Sequence, residues 1–193
     1  AANGILVDRG DGNLNVLNAR VTDNGGNGIE ISNWANSLAG DTTTIGDTLG
    51  GTTRVSGNGI GADGNIVFRI TDNDVKQLAT ITGMRIETGG RGIFADVAAA
   101  GSVLDLRIID NVAISDHLAD GIRLGADNGG VLNAIVSNDS ATPLQLLDNA
   151  QIGGSGIAVF ADGNIGSPTS QVNVVVRNIN INNENGGDTG MIV

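Results

Sequence analysis

A right-handed parallel β-helix of about six coils, each with three short strands and roughly 31 residues, is the fold class this sequence predicts. Three observations carry that expectation. A Gly-apolar step recurs at Gly4-Ile5, Gly28-Ile29, Gly59-Ile60, Gly92-Ile93, Gly121-Ile122, Gly156-Ile157 and Gly190-Met191, at separations of 24 to 35 residues. Beside each step, apolar and polar residues alternate with period two, as in Ile29-Glu30-Ile31 and Ile122-Arg123-Leu124, which is the pattern of a strand with one buried side. No window carries the amphipathic helix of about ten residues that helical repeats of this period require, while 31 glycines signal turns. The crossover rule supplies the right hand.

Each element follows from an alignment on these steps. The strand opened by Gly-Ile is expected to send two columns inward: Ile5, Ile29, Ile60, Ile93, Ile122, Ile157, Met191, and Val7, Ile31, Ala62, Ala95, Leu124, Val159, Val193. At its start, glycine is expected to provide a positive φ or a close approach. A strand before each step stacks Arg20-Val21, Arg54-Val55, Arg85-Ile86, Ala113-Ile114, Gln151-Ile152 and Asn180-Ile181. A third, more variable strand is assigned to "NLNVLN" from 13, "DTTTIGDTLGG" from 41, "NIVFRITDN" from 65, "SVLDLRIIDN" from 102, "VLNAIVSND" from 131 and "VNVVVRN" from 172. The whole of 1–193 reads as one solenoid domain, with turn insertions near 33–51, 74–82 and 139–148.

Composition narrows the function. The chain has 40% hydrophobic residues, nearly all aliphatic, with one Trp, three Phe, no Tyr and no Cys. That is enough for an aliphatic core, and it leaves no disulfide or thiolate chemistry. A formal net charge of −11 opposes binding to nucleic acid, whose contacts are mostly cationic. No apolar run reaches the roughly 20 residues of a membrane span, so no membrane insertion is expected. The opening "AANG" lacks a methionine and is read as following a removed upstream segment.

With these residues in view, the chain resembles the right-handed parallel β-helix superfamily, the pectate-lyase-like solenoids. Its cadence, Asn before one strand and Gly-Ile before the next, is similar to repeat tracts of bacterial surface adhesins and autotransporter passenger domains. The resemblance implies an internal asparagine ladder, to which Asn18, Asn111, Asn149 and Asn178 are assigned. It also offers an enzyme reading, but the family's catalytic strings (Asn-Thr-Asp, Gly-His-Gly, Arg-Ile-Lys) are absent, and fold alone does not assign activity.

Candidate chemistry is therefore sparse. The enzyme reading, a lyase or hydrolase on an acidic glycan, rests on Glu87, Asp116 and His117 as acid-base groups. Asp63, Asp127 and Asp162, in recurring Ala-Asp-Gly-Asn-like turns, are weak calcium candidates; no other cofactor is expected. The outward row Arg20, Arg54, Arg85 is a ligand or lateral contact, since guanidiniums one strand spacing apart repel unless something anionic, such as an anionic glycan, sits on them. Leu6, Phe94 and Ile192 are outward apolar residues.

Both ends lack a polar cap and open or close on equivalent strands, which is read as a whole number of coils. Ile5, Leu6, Val7, Met191, Ile192 and Val193 are accordingly assigned to end-to-end contact. The function expected is structural rather than enzymatic: an extracellular segment of a bacterial surface adhesin, or a filament subunit that self-associates end to end.

Overall fold

The computed structural model describes residues 2–47, 53–60, 63–139, 141–149, 151–162, 169–182 and 189–192. The first coil comprises β1 (Ile5–Asp11), β2 (Leu14–Leu17) and β3 (Arg20–Thr22), and the second β4 (Ile29–Ala35), β5 (Thr43–Gly46) and β6 (Arg54–Asn58). The third holds β7 (Ile66–Ile70), β8 (Lys76–Thr82) and β9 (Arg85–Gly89), and the fourth β10 (Ile93–Val97), β11 (Val103–Ile109) and β12 (Ala113–His117). In the fifth are β13 (Ile122–Ala126), β14 (Val131–Ser137) and β15 (Leu144–Leu147); in the sixth, β16 (Ser155–Ala161), β17 (Gln171–Arg177) and β18 (Ile179–Asn182). A further strand, β19 (Thr189–Ile192), follows.

Every strand pairs in parallel with its equivalent in the next coil, giving a seven-stranded sheet A (β1-β4-β7-β10-β13-β16-β19), a six-stranded sheet B (β2 to β17) and a six-stranded sheet C (β3 to β18). This is the expected right-handed parallel β-helix, and no helix occurs among the described residues. Among the described residues sheet A has one strand more than B or C, because the first and last strands, β1 and β19, are equivalents, as expected, with six coils between them.

Period-two alternation becomes stacking along the axis. Sheet C sends Val21, Val55, Ile86, Ile114, Leu146 and Ile181 inward in one column. Sheet B contributes Val16, Ile45, Ile81, Ile108, Val136 and Val176. In sheet A the columns are Ile5-Ile29-Ile66-Ile93-Ile122-Ile157-Met191 and Val7-Ile31-Phe68-Ala95-Leu124-Val159.

The sheet A columns correct the alignment in the third coil. Ile60 was expected in the first column, yet it is 65% exposed and Ile66 stands in its place. Phe68 takes the position assigned to Ala62, which lies outside the described residues. "NIVFRI" is thus a sheet A strand, and 76–82, expected within an insertion, forms the sheet B strand β8. A similar shift occurs near 145: Gln145 and Leu146 occupy the register assigned to Gln151 and Ile152, and Ile152 is 78% exposed. The expected insertions at 33–51 and 139–148 contain β5 and β15 respectively.

A polar line runs inside the aliphatic core. Asn24 Nδ2 donates to Asn58 Oδ1 at 2.8 Å, and Asn58 Nδ2 to Asn65 Oδ1 at 2.9 Å. Asn65 Nδ2 lies 3.0 Å from His117 Nε2, and His117 Nδ1 lies 2.7 Å from Asn149 Oδ1. Asn149 Nδ2 ends the line on Ile114 O at 2.9 Å. Asn65 fills a gap: Gly89 stands between Asn58 and His117 in the sheet C register, and the side chain it lacks leaves room for an amide from the neighbouring sheet. Of the expected ladder residues, Asn149 belongs to this line. Asn111 instead bonds Ile81 O and Met84 N, Asn178 bonds Asn138 O, and Asn18 is exposed at φ 53°.

The line explains the Gly-Ile step. Gly4, Gly28, Gly92 and Gly121 are not in the left-handed region; close approach, not φ, requires them. A Cβ at Gly92 would stand 2.3 Å from Gly121 O and 3.1 Å from His117 Cε1, and one at Gly28 2.8 Å from Asn58 Nδ2. Gly92→Ala should therefore cost about 2 kcal/mol through forced backbone displacement, measured as a lower urea midpoint at unchanged slope.

Candidate functional site

Of the residues expected to act together in catalysis, His117 faces the interior while Glu87 and Asp116 face outward. His117 ends β12 pointing inward and is 0% exposed. Asn65 Oδ1 already accepts from Asn58, so Asn65 must donate to His117 Nε2, and Nδ1 carries the proton donated to Asn149. Burial lowers the His117 pKa to about 4, outweighing its hydrogen bond to Asn149 and the charge of Asp116. Asp116 is exposed at φ 62° and accepts from Ser115 Oγ at 2.8 Å. Glu87 lies on the outer face of sheet C, bound to arginines. An imidazole sealed inside a β-helix cannot exchange a proton with a substrate outside it.

The arginine row is where it was expected, with Arg20, Arg54 and Arg85 in register on sheet C. Glu87 relieves the mutual repulsion: Arg54 Nη2 is 2.8 Å and Arg85 Nη1 3.4 Å from its carboxylate. Among the described residues no ion pair involves Arg20. One carboxylate for three guanidiniums leaves the row cationic.

The calcium candidates divide. Asp63 is ion-paired to Arg69. Asp127 and Asp162 follow β13 and β16 in adjacent coils and line one groove. Among the described residues, no three His, Asp or Glu are grouped so as to hold a metal ion.

That groove lies on the outer face of sheet A. Outward residues of sheet A stack in two rows, Glu30-Val67-Phe94-Arg123-Ala158 and Ser32-Arg69-Asp96-Gly125-Phe160. Arg69 and Arg91 lie 5.8 and 5.7 Å from the centre of the Phe94 ring, and Arg123 lies 4.2 Å from that of Phe160. Asp120, which accepts from Ser155 N at 2.9 Å, holds Arg91 at 3.3 Å and Arg123 at 3.6 Å. Between these stacks a groove of about 540 Å³ is floored by Gly125 and Ala126 and walled by Phe94, Arg123, Phe160, Asp96, Asp127 and Asp162. Asp96 leans over Gly125, its Oδ1 3.0 Å from where a Cβ would stand. Burial, reinforced by Asp127 and Asp63, raises its pKa against the opposing pull of Arg69 and Arg123.

Outward Phe94 was the sequence signal for this face. Phe160, Arg123 and Asp96 carried none, because only the cross-coil register brings them together. Of the end residues, Ile5 and Val7 are half-buried, while Leu6 and Met191 are exposed. Ile192 lies in β19, its side chain outside the described set, and Val193 lies outside the described residues. No family model matches the chain, and no match is found among curated proteins or solved structures.

Proposed function

We propose that this protein is a structural β-solenoid, a rod segment of an extracellular bacterial surface protein of the adhesin type, whose terminal coils are surfaces for pairing with further solenoid coils. The finer kinship, to the pectate-lyase-like superfamily, belongs to the same proposal. One observation carries it. In the middle coils the aliphatic columns are sealed, whereas Ile5, Val7, Leu14 and Val16 at one end and Val172, Val174, Val176, Ile179 and Ile181 at the other are only half-buried. They sit on strands with one free edge. Free parallel edges over an aliphatic core are templates for another coil, whichever chain supplies it. The burial of His117, which faces inward while Glu87 faces outward, weighs against the enzyme reading.

Electron microscopy of the 193-residue protein over a concentration series tests this. Rods that lengthen with concentration and diffract at about 4.8 Å along their axis are expected. Particles that stay one solenoid long at the highest soluble concentration would overturn the pairing role.

A further inference from the structure

The groove on sheet A lies among intramolecular guanidinium contacts. Both phenylalanines on this face already carry guanidiniums: Arg69 and Arg91 on Phe94, Arg123 on Phe160. Each of these arginines is held by a carboxylate beside the ring, Asp63 for Arg69 and Asp120 for the other two. One carboxylate beside these rings, Asp96, has no guanidinium within ion-pair distance, although the charges of Arg69 and Arg123 reach it. Asp96 and Phe160 flank Gly125 in the same row, one coil to either side, about 9–10 Å apart at two strand spacings. No hydrogen bond or ion pair holds Asp96 among the described residues, and Asp127 and Asp162 add two more carboxylates to the same groove. A planar cation can lie against the exposed part of Phe160, 41% accessible, and donate to Asp96; both contacts suit guanidinium better than the compact, strongly hydrated ammonium.

The chain also displays guanidiniums that could fill such a site. Arg20, Arg54 and Arg85 project from three successive coils of sheet C, in the first half of the rod. In the second half, Asp127 and Asp162 each come one residue after the paired Ala126 and Ala161 of sheet A, while Asp96 lies within β10, in register with Gly125. Neighbouring arginines of the row and the Asp127–Asp162 pair share the strand spacing of about 4.8 Å, and the two surfaces carry opposite charge.

We propose that the Gly125 notch is a guanidinium-binding site and that its occupant is an arginine of the sheet C row of a second copy, so that neighbouring rods adhere side by side. Row and notch lie on different faces and different halves, so the contact is heterologous and does not close on itself. It requires no end-on pairing: end-on contact lengthens a rod, this one widens the assembly.

Sedimentation of the 193-residue protein with two complementary variants tests it. Asp96→Asn with Asp162→Asn removes acceptors from the notch; Arg54→Gln with Arg85→Gln weakens the row. Each variant alone should self-associate laterally at least roughly tenfold more weakly than the parent, with a marked salt dependence in the parent. Mixed, the two should form one-to-one pairs, because the first still offers the row and the second the notch. Gly125→Leu, which fills the notch without changing charge, should abolish pairing while leaving the melting temperature near that of the parent. Absence of mixed pairs, or full association by Gly125→Leu, would overturn the proposal. Titration of arginine amide into the parent, followed at the Gly125 and Phe160 amides by NMR, tests the group itself: shifts there are expected, and none would overturn the site. Arginine amide binding without association of copies would overturn the second copy as occupant. Loss of lengthening in the microscope with side contact intact would instead count against the end-on reading alone.

Discussion

Replacing His117 with alanine should lower the unfolding free energy by about 3–5 kcal/mol at neutral pH, read from urea denaturation. The imidazole is the link that joins the upper and lower parts of the internal polar line, with Asn65 on Nε2 and Asn149 on Nδ1. Removing it leaves the buried Asn149 Oδ1 without that donor, at about 1–3 kcal/mol, takes one of three acceptors from Asn65 Nδ2, which keeps Glu87 O and Thr88 O, and opens a void where the ring was. His117→Asn, able to satisfy one neighbour, should cost less than alanine. Equal losses in the two variants would mean that packing, not hydrogen bonding, holds the ring.

The same residue sets the acid response. In the folded state His117 titrates at about 4, against 6.5 in an unconstrained chain. Between those values the unfolded chain binds the extra proton and the folded one does not, so stability is full above about pH 6.5 and falls as the pH drops towards 4. Below the folded value the loss levels off at roughly 3 kcal/mol. The structural reason is direct: a protonated Nε2 would face the amide hydrogens of Asn65, and Asn65 cannot turn its oxygen towards it without abandoning Asn58. In His117→Asn the part of the acid slope between pH 6.5 and 4 should disappear, and persistence of that slope would assign it to the carboxylates.

A comparable loss is expected at Phe68, the largest fully buried side chain. It stacks between Ile31 and Ala95 in a column otherwise made of aliphatic residues. Phe68→Ala should cost about 3–5 kcal/mol as an unfilled cavity. Combining it with Ala95→Phe, which moves the bulk one coil along, should restore part of that loss. If the double variant is as unstable as the sum of the singles, the two positions do not share space.

Much of the solenoid was legible because stacking repeats a local pattern. The arginine-bearing strands of the first three coils stand in the register expected, as do the inward residues Ile29, Ile31, Ile93, Ile122 and Ile157. The third coil was misread because "GNGIGADGNI" offers two glycine-led starts, and a two-residue period fits Ile60 as well as Ile66. The decision is made non-locally: only with Ile66 in the column can Asn65 reach both Asn58 and His117. At 144–152, "LQLLDN" and "NAQI" both satisfied the alternation, and pairing with Ala113 and Ile114 selects the former. His117 resembled a surface acid-base group because it follows Asp116 in a polar turn. One residue of alternation turns the carboxylate outward and the ring inward. The groove was illegible for the opposite reason: Asp96, Arg123 and Phe160 are separated by dozens of residues and become neighbours only when coils are stacked.

The extra strand in sheet A has a consequence for symmetry. A second copy set on the first without rotation would place β1 above β19 and leave sheets B and C each one strand short. Advanced by one strand along the winding, it meets no gap: β1 lies on β17, seven residues on seven, β2 on β18, four on four, and β3 on β19. Copies of the 193-residue chain paired so would be related by a screw with a rise of about 30 Å, not by simple translation, and each lateral patch would face a different direction in successive copies.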